Sequence, residues 1–266
     1  MNHVLSLLRR QSPRLVVIHA AILLIWLGLS ACARFLPVDA PADAAADQLV
    51  ARMKQTNIDL RRFKCVGKMA LAGPDQPSRS LRAALAGQLD DKLRIDMFAP
   101  FGGAAGTLAS DGRNLFLVMH PSREYYRKRF GSGSLRRLMQ IDVSVRDLLE
   151  LLVGRIPLDE DRSARLTSGQ GGFPHRLELV DSSGRIRQCI ALDESMNPRQ
   201  SEWFDRHQQR THGLTLTGLQ SVDGFRLPER IELTGPNGAR VTVVLERYEA
   251  NAALNERLFA PDDPWS

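Results

Sequence analysis

The histidines and carboxylates of this chain lack the spacing of a metal centre or a catalytic triad. His207 and His212 lie five residues apart, so on one extended strand they point to opposite faces and cannot share a metal ion. The chain has no His-Glu-x-x-His or Gly-x-Ser-x-Gly motif, and residues 102–107 lack the Gly-Lys-Ser/Thr of a phosphate-binding loop. The acidic triplet 159–161 is typical of a solvated turn, with a calcium site as the alternative. We therefore predict no catalytic residues, no metal and no cofactor.

Cys32 is the residue whose context indicates chemistry most clearly. It ends the run Leu29-Ser30-Ala31-Cys32, which follows an apolar stretch over 15–29 and the basic residues Arg9, Arg10 and Arg14. This run resembles the bacterial lipobox, in which the cysteine takes a diacylglycerol, the chain is cut before it, and the new amine is acylated. Residues 1–31 are then a lipoprotein signal peptide, and the acyl chains anchor the mature protein in a membrane. An uncleaved signal anchor is the alternative.

Removing this signal changes the charge balance of the chain. Three of the 36 basic residues and none of the 30 acidic residues leave, so the formal net charge falls from +6 to +3. The remaining charges are interspersed and aromatic residues make up only 6% of the chain, so we predict no nucleic-acid partner. Residues 32–45 have no hydrophobic period and contain two prolines, which predicts a lipidated tether. Residues 46–266 are long enough for a single domain.

Periodicity predicts a mainly β domain with covering helices. Apolar residues alternate with polar ones over 65–71, 81–89 and 93–97, which is the pattern of half-buried antiparallel strands. Six further apolar runs, separated by glycine-containing turns, extend the pattern to a meander of about ten or eleven strands. Helical spacing appears over 46–61 and again between Ser134 and Ile156, where two short helices or one broken helix are expected. The expected architecture is an open, curved antiparallel sheet with helices over one face.

Two segments resemble the LolA and LolB lipoprotein-carrier superfamily, and within it the LolB-like outer-membrane lipoproteins. Residues 93–102, Leu-Arg-Ile-Asp-Met-Phe-Ala-Pro-Phe-Gly, are similar to the family's strand that leads into a Pro-apolar-Gly loop. Residues 144–157 are similar to its helix and the Gly-x-x-Pro end of that helix. The resemblance implies an open half-barrel of antiparallel strands that encloses an apolar cavity for the acyl chains of another lipoprotein. It also implies insertion of cargo into the membrane by the loop Pro100-Phe101-Gly102.

The residues themselves leave both of these roles open. Phe101 stands among small residues, so its ring either projects towards a bilayer or folds back into the core, as most phenylalanines do. The candidates for the cavity lining suit a lipid pocket and an ordinary core equally well. They are Met69, Leu71, Leu85, Ile95, Met97, Leu117, Met119, Leu148 and Leu152. The run from Arg123 to Phe130 either steers the domain to anionic headgroups or protects an edge strand with its charges.

Two further expectations concern the cysteines and the location. Cys65 and Cys189 either form a disulfide, which an oxidising cell envelope permits, or stay apart as buried thiols. Ala33 follows Cys32 where enteric bacteria place Asp for inner-membrane retention, so the anchor is expected in the outer membrane, facing the periplasm. The expected partners are this membrane, acyl chains of lipoproteins or lipids, and a periplasmic carrier protein.

The sequence therefore predicts a non-enzymatic lipoprotein that binds acyl chains and helps to deliver lipoproteins or lipids to the outer membrane. The main alternative is an interaction module of an envelope complex that keeps the fold without the lipid cavity, and a periplasmic hydrolase is the third. Two departures from the LolB-like pattern stand out. The segment after Leu227 is long, and the loop residue Phe101 is aromatic instead of aliphatic.

Overall fold

A computed structural model of the chain describes residues 44–73, 78–129, 135–160, 162–169 and 171–265. Cys32, the signal peptide and the tether as far as residue 43 lie outside the described residues. The helices within the described residues are all too short or too polar to cross a bilayer. Residues from Ala40 to Ser266 form one unit, whose strands and helices are given below.

Thirteen strands of the described residues form one antiparallel sheet in the order β6-β5-β4-β3-β2-β1-β15-β14-β11-β10-β9-β8-β7. The sheet is not closed, because β6 and β7 form its two edges. The open antiparallel architecture is therefore confirmed, with more strands than the ten or eleven expected. The strands are β1 Arg62–Ala72, β2 Arg79–Gln88, β3 Lys92–Phe98, β4 Ala104–Asp111, β5 Asn114–Met119, β6 Glu124–Arg129, β7 Ser163–Ser168, β8 His175–Val180, β9 Ile186–Leu192, β10 Pro198–Phe204, β11 Arg210–Thr217, β14 Arg230–Thr234 and β15 Arg240–Ala250, with the separate hairpin of β12 Gln220–Val222 and β13 Phe225–Leu227.

The inner face of the sheet carries the core. Strand register places successive cross-strand partners on this face, because directly opposed residues point to the same side. In β1 to β5 these partners run in the series Cys65, Leu85, Ile95, Leu108 and Leu117. The alternation predicted from the sequence places this series on the inner face, since the intervening side chains turn to the outer face.

In the described part of the chain, three α-helices cover the inner face: α1 Ala44–Gln55, α2 Arg136–Met139 and α3 Val145–Leu152. The predicted N-cap of α3 is confirmed, because the Ser144 hydroxyl accepts from the Asp147 amide and the Asp147 carboxylate accepts from the Ser144 amide. The same helix buries five of its eight side chains, as its apolar stripe predicts. Helix α1 ends at Gln55, six residues before the predicted end, because Asn57 takes a left-handed conformation in the turn that follows.

The segment after β15 covers part of the outer face and accounts for the unexpected length of the C-terminal region. It contains a short 3-10 helix, Glu256–Phe259, whose Phe259 side chain is fully buried. The Arg94 guanidinium on β3 donates to the carbonyl oxygen of Leu258 at 3.0 Å, and Tyr125 on β6 donates to that of Pro261 at 3.2 Å. Strands β3 to β5 are therefore covered on both faces.

Candidate functional site

The turn between β3 and β4 presents Phe101 to solvent. The Gly102 amide donates to the Ala99 carbonyl at 2.9 Å, and the Ala99 amide donates to the Gly103 carbonyl at 2.7 Å. Pro100 occupies the second position of this turn, which its fixed φ favours, and Gly102 has a φ of +88°. The Phe101 side chain at the third position has a relative exposure of 102%. The turn thus holds an entirely solvated phenyl ring, which excludes the alternative in which the ring folds back into the core.

Strand register shows which other elements reach the same end of the sheet as this turn, here called the Phe101 end. Phe98 pairs with Arg82, and Leu71 pairs with Arg79, so the β1–β2 turn lies at this end. Ala72 pairs with Arg240, which places the β14–β15 turn there too. Because β14 pairs with β11 and β11 pairs with β10, the start of β11 and the end of β10 also lie at the Phe101 end.

A pocket of about 220 Å³ lies at the Phe101 end, between the inner face and the segment that contains α3. Its sheet side is formed by β10, β11 and β14, and its opposite side by α3 and the residues that follow it. The lining is mostly apolar with two carboxylates: Val143, Asp147, Leu151, Pro157, Leu158, Asp159, Trp203, His212 and Leu233. This volume is smaller than that of most ligand sites, so a long acyl chain requires the covering segment to move.

Two stacked aromatic rings line one side of this pocket. The rings of Trp203 and His212 stack with centroids 4.4 Å apart and planes inclined by 14°. Burial lowers the pKa of His212, because the charged imidazolium loses its hydration, while the carboxylates of Asp147 and Asp142 oppose that shift. The guanidinium of Arg210 adds to the lowering. The pocket therefore favours a neutral imidazole and an apolar occupant.

The segment over this pocket, here called the lid and comprising residues 144–159, is held by polar contacts at its margins. Asn57 donates to the Val153 carbonyl at 2.8 Å, and the Tyr248 hydroxyl donates to that of Leu152 at 3.1 Å. The buried Gln188 amide donates to the Pro157 carbonyl at 2.9 Å and accepts from the Asp159 amide at 2.8 Å. Such bonds contribute about 1 kcal/mol each, so most of the resistance to opening the lid comes from the five apolar side chains that α3 buries.

The residues predicted to line a cavity fall into two groups. Five are fully buried in the packed core between sheet and helices, namely Met69, Leu85, Ile95, Leu148 and Leu152. Four are only half-buried or exposed, namely Leu71, Met97, Leu117 and Met119. On β3 and β5 the side chains of Met97 and Met119 approach Gly106 from the same side. The register places all seven strand residues on the inner face, as alternation predicts, whereas the pocket near Trp203 is lined by other residues.

The disulfide considered between Cys65 and Cys189 is absent, because both cysteines are free and buried. Strand register gives the physical reason. Cys65 lies on the inner face, opposite Leu85, whereas Cys189 lies next to the inner-facing Ile190 and therefore points outwards, opposite Glu178. Burial raises the pKa of the Cys65 thiol to about 12, so it behaves as an inert core residue.

Sequence reasoning missed the pocket near Trp203 because its lining comes from five separate segments. The only local signal was the presence of Trp203 and His212 on two neighbouring strands, and their pairing requires the register to be known. The described residues contain no group of three or more His, Cys, Asp or Glu side chains placed to hold a metal ion.

Solved structures share this fold at low sequence identity. A LolA superfamily protein from Nitrosomonas europaea superposes with a TM-score of 0.55 at 16% identity, covering 81% of this chain and 97% of its own. A DUF1329 family protein from Desulfovibrio piger gives 0.57 at 14% identity, with coverages of 81% and 95%. A domain from Vibrio parahaemolyticus named a "putative outer membrane lipoprotein-sorting protein domain" gives 0.56 at 15% identity, with coverages of 81% and 96%. The sequence matches no protein-family model and no curated protein. The fold is therefore LolA-like.

Proposed function

We propose that this protein is a lipid-anchored envelope lipoprotein that binds acyl chains beneath its lid and helps to deliver lipoproteins or lipids to the outer membrane. The observation that carries the proposal is the complete exposure of Phe101 on a turn at the same end of the sheet as the pocket under the lid. Transfer of a phenyl ring from water to an apolar phase is favourable by about 2 kcal/mol. Exposure of the Phe101 ring to water is therefore unfavourable unless the turn meets an apolar surface.

The LolA-like fold supports the same proposal, since one structure with this fold is named as a lipoprotein-sorting domain. The lipobox-like run at Cys32 supplies the anchor in this proposal, and the alanine after it directs the anchor to the outer membrane. A LolB-like role follows from combining the anchor, the pocket and the projecting ring. A periplasmic carrier protein is the proposed source of the cargo.

The test is transfer of an acylated protein into vesicles by wild type, Phe101→Glu and Phe101→Leu. We expect the glutamate variant to lose insertion, because a charged tip resists the bilayer, and the leucine variant to retain it. Leu219→Glu is a matched control, since Leu219 is another exposed apolar residue, beyond the end of β11 at the opposite end of the sheet. Normal insertion by a folded Phe101→Glu protein would contradict the proposal.

The filled inner face favours a second candidate, a non-catalytic interaction module that keeps the fold without a lipid cavity. Five of the predicted lining residues are packed in the core and do not line the pocket of about 220 Å³ near Trp203. Mass spectrometry of the protein purified from its native membrane distinguishes the two functions. Bound lipid other than the covalent anchor supports the carrier, and its absence from the folded protein supports the interaction module.

A further inference from the structure

Three arginines surround the turn that carries Phe101. Arg82 pairs with Phe98 at the end of β3, and Arg79 lies three residues further along β2, level with the turn. Arg123 belongs to the β5–β6 turn, which reaches the same end because Met119 pairs with Gly106 at the start of β4. These residues, Arg79, Arg82 and Arg123, are here called the basic rim.

The basic rim is exposed and has no ionic partner among the described residues. All three side chains are solvent-exposed, and none of them pairs with a carboxylate in the described part of the chain. The neighbouring carboxylate, Glu124, accepts from the Ser122 hydroxyl at 2.8 Å. Guanidinium groups are thus left free to bind anions next to an exposed phenyl ring.

The opposite end of the same strands has a different charge distribution. The β2–β3 and β4–β5 turns there carry Asp90, Asp91 and Asp111. Lys92 pairs with Asp90 at 2.7 Å and with Glu256 at 2.9 Å, so basic residues at that end are partly neutralised. The opposite end also carries the exposed Arg61, Arg62 and Arg113, so the Phe101 end is distinguished by arginines next to a fully exposed phenyl ring.

We propose that the basic rim binds anionic phospholipid headgroups and holds the Phe101 end against the bilayer. This inference rests on the proposed function, which supplies the contact between Phe101 and the membrane. An aromatic ring surrounded by arginines matches a surface whose acyl region lies beneath negatively charged headgroups.

The test uses the full-length lipoprotein, reconstituted through its own anchor into vesicles of phosphatidylcholine with or without phosphatidylglycerol. A fluorophore sensitive to polarity is attached at Gly103→Cys, where an added side chain meets no atom within 4 Å and Phe101 stays in place. The two natural cysteines of the domain are buried, which keeps labelling selective. Quenching by lipids labelled in the acyl region then reports whether the turn enters the bilayer.

We expect quenching in vesicles with phosphatidylglycerol that falls about tenfold or more without it, and that is weakened by salt. The variant Arg79→Gln/Arg82→Gln/Arg123→Gln should lose this dependence on the anionic lipid. Its matched control is Arg61→Gln/Arg62→Gln/Arg113→Gln, which removes three exposed arginines from the opposite end and should behave as wild type.

Each other outcome identifies which proposal has failed. Equal quenching in both kinds of vesicle, or in the rim variant and wild type, overturns the role of the basic rim and leaves the membrane contact of Phe101 intact. Equal losses in the two triple variants show that only net charge matters, which also overturns it. Absence of quenching in every vesicle contradicts the proposed function itself, together with this inference.

Discussion

Trp203 stacks on His212 in the pocket beneath the lid, with the two ring centroids 4.4 Å apart. Each residue comes from a different strand, and the pairing of β10 with β11 sets their contact. The stack places a titratable ring against the lid, so the pocket responds to acid through one identifiable group.

The first prediction concerns the pH dependence of stability. Burial holds the pKa of His212 below its ordinary value of 6.5, so the unfolded state binds this proton more readily than the folded state. The free energy of unfolding should therefore fall as the pH drops below about 6.5, and this contribution should be constant above it. Urea unfolding across this range measures the effect.

His212→Phe keeps the aromatic stack and should flatten that acid-side slope. The hydroxyl of Thr211 keeps its bond to the Trp203 carbonyl in this variant. His207→Gln is the control, because it removes an exposed imidazole from the β10–β11 turn and should leave the slope unchanged. An unaltered slope in His212→Phe would show that other groups cause the acid sensitivity.

The second prediction concerns opening of the lid. Tyr248→Phe removes the hydrogen bond to Leu152 while keeping the ring that stacks on Phe63. Asn57→Gly removes the bond to Val153, together with two bonds to the backbone of Arg226 outside the lid, while tolerating the positive φ. Each change should lower the free energy of lid opening by about 1 kcal/mol. Amide exchange in α3 should accelerate accordingly, with β3 and β4 unaffected. Uniform acceleration across the sheet would mean that the lid does not open separately.

The third prediction concerns the packing of α3 on the sheet. A β-carbon at Gly87 would meet the Phe63 ring at 2.5 Å and a Leu149 methyl at 2.6 Å, and both of these side chains are buried. Gly87→Ala should therefore destabilise the protein by about 1–3 kcal/mol. Gly103→Ala is the matched change in open space and should alter stability by less than about 0.5 kcal/mol. Chemical denaturation compares the two, and similar values would refute this account of the packing.

The fourth prediction concerns the C-terminal segment. Phe259→Ala removes its fully buried anchor and should cost about 3 kcal/mol, the low end for a buried phenylalanine. The segment should then expose the outer-face residues Phe116 and Val118, which increases binding of a hydrophobic dye. Arg257→Ala, an exposed neighbour in the same 3-10 helix, should change neither measurement. A stable Phe259→Ala protein without added dye binding would mean that the segment is dispensable.

The sequence predicted correctly those features that depend on residues close together in the chain. The period of two in β1 to β3 fixes the inner face, and Ser144 with Asp147 caps α3 as expected. The possible disulfide was not resolved from the sequence, because whether Cys65 and Cys189 share a face depends on pairing across several strands. The cover over the outer face was also missed. Its signal was the uninterrupted apolar run Leu115–Met119, which is typical of a strand buried on both sides.

Coverage of β3 to β5 on both faces has a mechanical consequence for the turn at Phe101. The two strands that support this turn are fixed between the core and the C-terminal segment, whereas the lid packs only on the inner face of the sheet. Opening of the lid therefore leaves the supporting hairpin unmoved. In the proposed function, the turn at Phe101 therefore keeps its position at the membrane while the lid opens and closes.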